Sequence, residues 1–219
     1  MKTRSMTRQE LRLRRSKFLC LPPEIFIQIC AHLLPKDLAS LLRVCKQLYN
    51  ELSIVEPSST IQKIWKQSRL RFMPLRILDP PKGMSEQEYI KLLIEKKCSL
   101  CGKKSRKSKI YWDVKVRACE SCYEGGTVTG IELFYFNYSA CEIITCIPFT
   151  NIRGDSKSYW RFLVEAKLKE YKSLRGIERY HWVYEQTKQT EEIQSEVTKR
   201  WREDYSNSKN DFKYDSFNI

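Results

Sequence analysis

The chain has 219 residues, of which 42% are hydrophobic and 12% aromatic. This composition excludes a wholly disordered polypeptide, because so much apolar surface can offset the entropy lost on folding. No stretch reaches the roughly 20 apolar residues of a membrane-spanning helix, so we expect no membrane partner. The formal net charge of +14 favours acidic partners, such as nucleic acid or an acidic protein, without choosing among them.

The N-terminal region predicts an intracellular protein. Residues 1–18 carry seven basic side chains against one acid, Glu10, which predicts a flexible basic arm. This arm is either a solvated tail or a nuclear-import signal. The apolar residues that follow do not form a secretory signal, since Pro22, Pro23 and Glu24 interrupt them. We therefore expect the cytoplasm, the nucleus or both.

Residues 19–72 show a helical pattern. Pro22 and Pro23 suit a helix start, because the amide hydrogens that they lack would have no partner there. Pro35 is expected to end the first helix, and Asp37 is expected to cap the second. A third helical stretch follows the loop near residues 56–59, so the segment predicts three helices.

The order of residues in this segment is more specific than its periodicity. Leu21-Pro22-Pro23-Glu24-Ile25 opens the first helix, Lys36-Asp37-Leu38 and Arg43-Val44-Cys45-Lys46 follow, and Trp65-Lys66 comes later. This series resembles the F-box family over nearly the whole length of that domain, although Tyr49 stands close to where many members carry Trp. The resemblance implies a module that binds the Skp-type adaptor of the SCF ubiquitin ligase and, through it, cullin. An unknown substrate protein would bind elsewhere on the chain.

The resemblance also implies which residues contact the adaptor. A bundle this short offers more apolar positions than its own core can bury, which agrees with docking of one face. The alternative is that this face packs on the rest of the chain. The positions that match the docking positions of the family are Leu21, Pro22, Ile25, Leu33, Leu38, Val44, Cys45 and Leu48.

Two CxxC pairs form the second motif. Cys98 and Cys101 are separated by seventeen residues from Cys119 and Cys122. Nine cysteines in a reducing compartment predict thiols or metal ligands, and this spacing, similar to that of treble-clef and GATA-type fingers, is typical of one zinc ion. Four protein ligands leave no open position, so the ion is expected to be structural.

The GATA-like spacing keeps a second function open, a zinc-finger protein that binds nucleic acid. Basic residues between the cysteine pairs could contact phosphates. However, no base-reading helix is evident, and an acidic residue, Glu124, follows the second pair. A scaffold that uses the F-box outside any ligase is the third alternative. The candidate basic contacts are Lys103, Lys104, Arg106, Lys107 and Lys109.

The remaining elements complete an α+β fold that is mainly helical: a three-helix F-box, a small zinc-stabilised β-hairpin region and C-terminal helices. We expect a linker at 73–84, then a helix and the zinc module at 85–126. The helix begins with a capping box formed by Ser85 and Glu88. Residues 127–205 are expected to hold strands, including two within 131–149, and a C-terminal helical pair, followed by a flexible tail at 206–219.

Alternation from Ile110 to Arg117 predicts one strand between the cysteine pairs. No nucleophile with an adjacent base and no phosphate-binding loop occurs in the sequence. We therefore expect a protein that is not an enzyme.

Overall fold

The computed structural model describes residues 21–52, 59–105, 107–136, 141–151 and 156–215. Within these residues the protein is α+β and mainly helical, with short antiparallel strand pairs, which confirms the predicted fold class. The predicted arm at residues 1–18 and Arg106 lie outside the described residues. The chain divides into two compact units, residues 1–90 and residues 91–219, which we call unit 1 and unit 2.

Prolines set the start of the first two helices of unit 1. Helix α1 (Pro23–Ala31) and helix α2 (Pro35–Leu41) each have proline in the first turn, where its missing amide hydrogen costs no helical bond. The expectation that Asp37 caps α2 is wrong. The helix begins at Pro35 and no side chain caps it, so Asp37 lies inside the first turn, where its charge favours the amide end of the helix.

Helices α3 (Lys46–Leu52) and α4 (Ser59–Phe72) complete the core of unit 1. Helix α4 packs against α1 and α2. The indole N–H of Trp65 donates to the carbonyl of Leu52 at 3.2 Å, so its single polar atom is satisfied inside the core. The buried apolar side chains of the four helices are Phe26, Cys30, Leu38, Leu48, Leu52, Ile64 and Trp65.

A buried ion pair connects α4 to the next helix, α5 (Glu86–Ile94). The guanidinium of Arg69 donates to the two carboxylate oxygens of Glu86 at 2.8 and 2.9 Å, and both side chains are almost inaccessible to solvent. Residues 73–84 form no helix or strand, and the linker at this segment stays a prediction. The division between the units, however, falls after Ile90, within α5 rather than at that segment.

In unit 2 the residues predicted as one strand form a hairpin instead. Strand β1 (Lys109–Tyr111) pairs antiparallel with β2 (Val116–Ala118), and helix α6 (Glu120–Gly126) follows. The prediction of a continuous strand from residue 110 to residue 117 is therefore wrong. The chain turns at residues 112–115, where Lys115 has a φ of 55°.

The two strands predicted within residues 131–149 are also wrong. Strand β3 (Thr127–Thr129) is followed directly by helix α7 (Gly130–Phe136), and a 3₁₀ turn forms at Ile144–Cys146. The strand that pairs with β3 is β4 (Ser158–Trp160). Bulky residues within α7 fit the strand pattern, but local capping favours the helix.

Reciprocal capping boxes begin α5 and α7. The carboxylate of Glu88 accepts from the amide of Ser85 at 2.9 Å, and the hydroxyl of Ser85 accepts from the amide of Glu88 at 3.2 Å. This confirms the predicted capping box. Thr129 and Glu132 make the same pair of bonds at 2.7 and 3.2 Å, a signal that sequence reasoning overlooked.

Two helices end the described chain. Helix α8 spans Arg161–Ser173, and helix α9 (Ile177–Asp215) has 39 residues, extending into the predicted tail. Helix α9 packs on the 3₁₀ turn. Within the described residues, no helix combines the length and the apolar character that crossing a membrane requires.

Candidate metal centre and docking segment

The first cysteine pair lies on a tight turn after α5. The amide of Cys98 donates to the carbonyl of Lys103, and the amide of Gly102 donates to the carbonyl of Cys98, both at 2.9 Å. Gly102 has a φ of 71°, a left-handed conformation that a side chain with a Cβ rarely adopts. The turn directs the amide of Cys101 toward the sulfur of Cys98, at 3.5 Å.

The hairpin places the second cysteine pair beside this turn. Cys119 directly precedes α6, and Cys122 lies in its first turn. The amide of Ser99 donates to the carbonyl of Arg117 at 2.7 Å, while the amide of Arg117 donates to the hydroxyl of Ser99 at 3.3 Å. These two bonds fasten strand β2 to the first pair just before Cys119.

The four sulfur atoms fit a single tetrahedral ion. All four lie within 4.8 Å of one another, and those of Cys101 and Cys119 are 3.8 Å apart. A tetrahedral ion with metal–sulfur distances of roughly 2.3 Å requires sulfur atoms roughly 3.8 Å apart. Cys98, Cys101, Cys119 and Cys122 are therefore close enough to bind one metal ion. In the described part of the chain, no other group of His, Cys, Asp or Glu is arranged to do so.

The acidities of the thiols differ across this cluster. Burial alone would raise the pKa of Cys98, but backbone N–H groups, including those of Cys101 and Cys119, donate to its sulfur and lower the pKa to about 6. Hydrogen bonds with Cys119 and Cys101 raise the pKa of Cys122 to about 12. Four adjacent thiolates repel one another, so full deprotonation of the set requires a cation among them.

Aromatic packing supports the cluster from one side. The rings of Tyr111 and Tyr123 stack with centroids 4.8 Å apart, and Trp160 meets the ring of Tyr111 edge-on at 5.3 Å. A Cβ at Gly126 would lie 3.2 Å from the Trp160 ring, so the glycine permits a close approach. We define the cysteine module as residues 98–126; Tyr111 and Tyr123 belong to it, and Trp160 of β4 packs on it from outside this range.

Arg117 fixes the hairpin to the end of α5. Its guanidinium donates to the carbonyls of Leu92, Leu93 and Ser108 at 3.0 to 3.3 Å. The last carbonyls of a helix have no partner within it, so this arginine satisfies two of them. Sequence reasoning placed Arg117 only on the polar face of a strand; a single arginine there carries no signal for this contact.

The eight predicted adaptor contacts differ in exposure. Leu38 and Leu48 are 0% and 2% exposed and belong to the core of unit 1, whereas Ile25 and Val44 are 43% and 60% exposed. Pro22 is exposed, and the half-buried members are Leu21, Leu33 and Cys45. The contacts themselves stay a prediction.

Helical spacing explains why α1 has two apolar faces. Phe26 and Cys30, four residues apart, are buried, while Ile25 and Ile29, also four residues apart, are exposed. Leu34, just after the helix, is 48% exposed. Ile29 and Leu34 were not among the predicted contacts, yet they add apolar surface beside Ile25.

The basic residues proposed as contacts lie between the cysteine pairs. Lys103, Lys104, Lys107 and Lys109 are all exposed. Their exposure does not show what they bind, so a role of these lysines in binding a partner stays a prediction.

Residues 18–53 match the F-box-like family model. This segment is an F-box-like domain. Such domains typically bind Skp-type adaptors, and the F-box-like domain of this chain supports a role in protein–protein interaction of the SCF type. No curated protein and no solved structure matches the chain. The cysteine module lies outside the matched residues, so the family match carries no information about it.

Proposed function

We propose that the protein is a substrate receptor of an SCF-type ubiquitin ligase and is not itself an enzyme. The F-box-like domain would bind the Skp-type adaptor, which leads to cullin, and unit 2 would hold the target protein. Tethering raises the effective concentration of the target near the activated ubiquitin, so the receptor needs no catalytic residue. Such a pathway operates in the cytoplasm or the nucleus.

The observation that carries the proposal is the exposed apolar surface on a segment that matches the F-box-like family. Ile25, Ile29, Leu34 and Val44 are between 36% and 60% exposed, although the same segment buries a core of its own. Burying one such side chain on a partner contributes roughly 1.5–3 kcal/mol. A few of these contacts are enough to hold a stable complex.

Co-purification with the Skp-type adaptor tests this proposal. The wild-type chain is expected to form a stoichiometric complex, and the double variant Ile25→Asp, Val44→Asp is expected to lose it, because two charges would be buried at the interface. Ile77→Asp is the matched control: this isoleucine is 69% exposed in unit 1 but lies outside the matched residues. Equal binding by the wild type and the double variant, or no complex from folded wild-type chain, would overturn the proposal.

We also propose that the ion of the cysteine module is zinc. Four thiolates in a tetrahedral set are the ligands that structural zinc sites use most, and soft sulfur donors disfavour magnesium and calcium. When bound, zinc would supply folding free energy rather than chemistry, since no coordination position is left for a substrate. Elemental analysis of the purified chain is expected to give one zinc per molecule, and iron or no metal would contradict this.

A further inference from the structure

The first part of the cysteine module and the two residues before it carry a concentration of positive charge. From residue 96 to residue 112 the sequence has seven basic residues and no acidic residue. Arg106 is outside the described residues, and the other six are all exposed. We call these six the lysine cluster: Lys96, Lys97, Lys103, Lys104, Lys107 and Lys109.

The backbone holds two of these lysines against each other. Lys97 and Lys104 are directly opposite in an antiparallel bridge, and the amide of Ser105 donates to the carbonyl of Lys96 at 3.2 Å. Like charges directly opposite on neighbouring strands destabilise the pairing. No ion pair with another described residue offsets this repulsion at any member of the lysine cluster. An anionic partner would relieve it.

The positive charge of the lysine cluster exceeds what is needed to balance the thiolates of the metal centre. Four thiolates around a divalent ion have a net charge of about −2, which two lysines balance. The lysine cluster has six. The excess makes this face of the module positive, and its position is fixed by the turn and the hairpin rather than by flexible backbone.

The side chains present favour carboxylates over nucleic acid. Single-stranded nucleic acid is held by exposed aromatic rings that stack on bases, but Tyr111 and Trp112 are only 3% and 2% exposed. The guanidinium of Arg117, which could read a base edge or grip a phosphate with two bonds, is engaged by backbone carbonyls. The remaining exposed cations are lysines, which act as point charges, and between Lys97 and Lys103 in the sequence lies Leu100, an apolar side chain that is 50% exposed.

We infer that the lysine cluster is a binding site for an acidic segment of the protein that this chain recruits. Carboxylates of the segment pair with the ammonium groups of Lys97, Lys104 and their neighbours, and an apolar residue beside the acids contacts Leu100. The identification of the segment as part of a recruited target rests on the proposed receptor function. The binding site itself does not.

Fluorescence anisotropy on the full, metal-loaded chain tests the inference. The probes are a labelled twelve-residue polyglutamate peptide, a Gly/Ser peptide of the same length, and single-stranded and duplex DNA oligonucleotides. The wild type is expected to bind polyglutamate more tightly than the other probes. Binding should weaken with added salt, because exposed charges are screened beyond about 8 Å at 0.15 M salt.

Charge reversal locates the binding site. Lys97→Glu, Lys104→Glu is expected to lower the affinity for polyglutamate at least about tenfold, since attraction becomes repulsion at two positions. Lys169→Glu, Lys172→Glu changes the net charge equally on exposed positions of α8 and is expected to change the affinity less than about twofold. Metal content and hydrogen exchange of both variants verify that the module is folded.

Three outcomes overturn the inference. One is the absence of polyglutamate binding by the wild type, another is equal loss in both double variants, and the third is tighter binding of DNA than of polyglutamate. Adaptor capture is measured on the same samples. If the adaptor binds but polyglutamate does not, this inference fails and the receptor proposal stands; the reverse result removes the receptor proposal and leaves an acidic-peptide site.

Discussion

In unit 1, helices α1–α4 enclose a core of aliphatic and aromatic side chains, whereas the cysteine module has three-residue strands, one short helix and few buried apolar residues. Apolar burial contributes roughly 25 cal/mol per Å², so we expect the larger core to hold unit 1 folded without a bound ion. The module buries Cys98, Tyr111 and Ala118 against Trp160, which lies outside the module. The comparison predicts that unit 1 folds by apolar packing alone, whereas residues 98–126 are expected to need a bound ion in order to fold.

Loss of the metal is the largest effect that this comparison predicts. Cys101→Ser, or chelation of the wild type, is expected to abolish metal binding and unfold residues 98–126. In zinc-finger peptides the binding of structural zinc supplies roughly 10–16 kcal/mol of folding free energy, and this contribution would be lost. Hydrogen exchange should show lost protection in the module and unchanged protection in α1 and α4.

Leu38→Ala is the corresponding change in unit 1. Leu38 is fully buried, so its truncation is expected to destabilise unit 1 by about 2–5 kcal/mol through the lost contacts and the cavity. The metal content should stay the same. Full protection of the module in the chelated chain would disprove the contrast between the two regions.

The next effect concerns a buried charge. Glu86→Gln removes the buried carboxylate that pairs with the guanidinium of Arg69 and leaves the longer contact to the exposed Asp79, at 3.5 Å; the stability of unit 1 is expected to fall by about 3–5 kcal/mol. The pKa of Arg69 shows the same dependence: burial lowers it, but the bond to Glu86 and its charge raise it further, so that it lies above its ordinary value. Hydrogen-exchange rates of the backbone amides of α4 measure this loss of stability.

Glu88→Gln supplies the control, because Glu88 is exposed and glutamine also serves in a capping box. We expect this substitution to lower the stability by less than about 0.5 kcal/mol. Similar losses of stability in Glu86→Gln and Glu88→Gln would show that the buried ion pair stabilises unit 1 no more than an exposed carboxylate does.

The two capping boxes allow a matched measurement in the two units. Ser85→Ala in unit 1 and Thr129→Ala in unit 2 each remove a side-chain oxygen that accepts from a helix amide. Each is expected to destabilise its helix by about 1 kcal/mol. Hydrogen exchange of α5 and α7 measures both, and a much larger loss for one would mean that its cap also supports tertiary packing.

The smallest effect is a change in pH dependence. Burial raises the pKa of Asp113 above its ordinary value of 3.8, although the hydroxyl of Thr150, which donates to its carboxylate at 2.7 Å, lowers it in part. The folded state therefore binds this proton more tightly than the unfolded state. The resulting stability is fully present below pH 3.8 and is lost as the pH rises through the raised folded pKa.

Asp113→Asn removes this charge and keeps an oxygen for Thr150. At pH 7 the variant is expected to be as stable as the wild type or more stable, and the stability of unit 2 should fall less as the pH rises from 4 to 7. Thermal unfolding across this range measures both. A variant that is less stable at pH 7 would show that the charged carboxylate is favourable there.

Spacing and residue order by themselves determined two features of this protein. The cluster of four cysteines in the candidate metal centre follows from the CxxC spacing, because a turn or a helix start places the two sulfurs of one pair together whatever surrounds them. The F-box-like domain follows from prolines and apolar residues in a fixed order. Both signals are local, and a local signal can be read from the sequence without knowledge of the fold.

Tertiary structure alone decided the rest. Residues 110–117 alternate as one strand would, but the chain reverses at residues 112–115 because Asp113 and Trp112 are buried against other parts of unit 2. Helix α7 is a partial exception: its bulky residues fit a strand, and the capping box of Thr129 and Glu132 is a local signal for the helix, but only the tertiary structure places Leu133 in a core. The partnership of Arg69 with Glu86 and the contact of Arg117 with α5 join positions seventeen or more residues apart. Such contacts depend on which surfaces meet, and periodicity along one chain does not encode that.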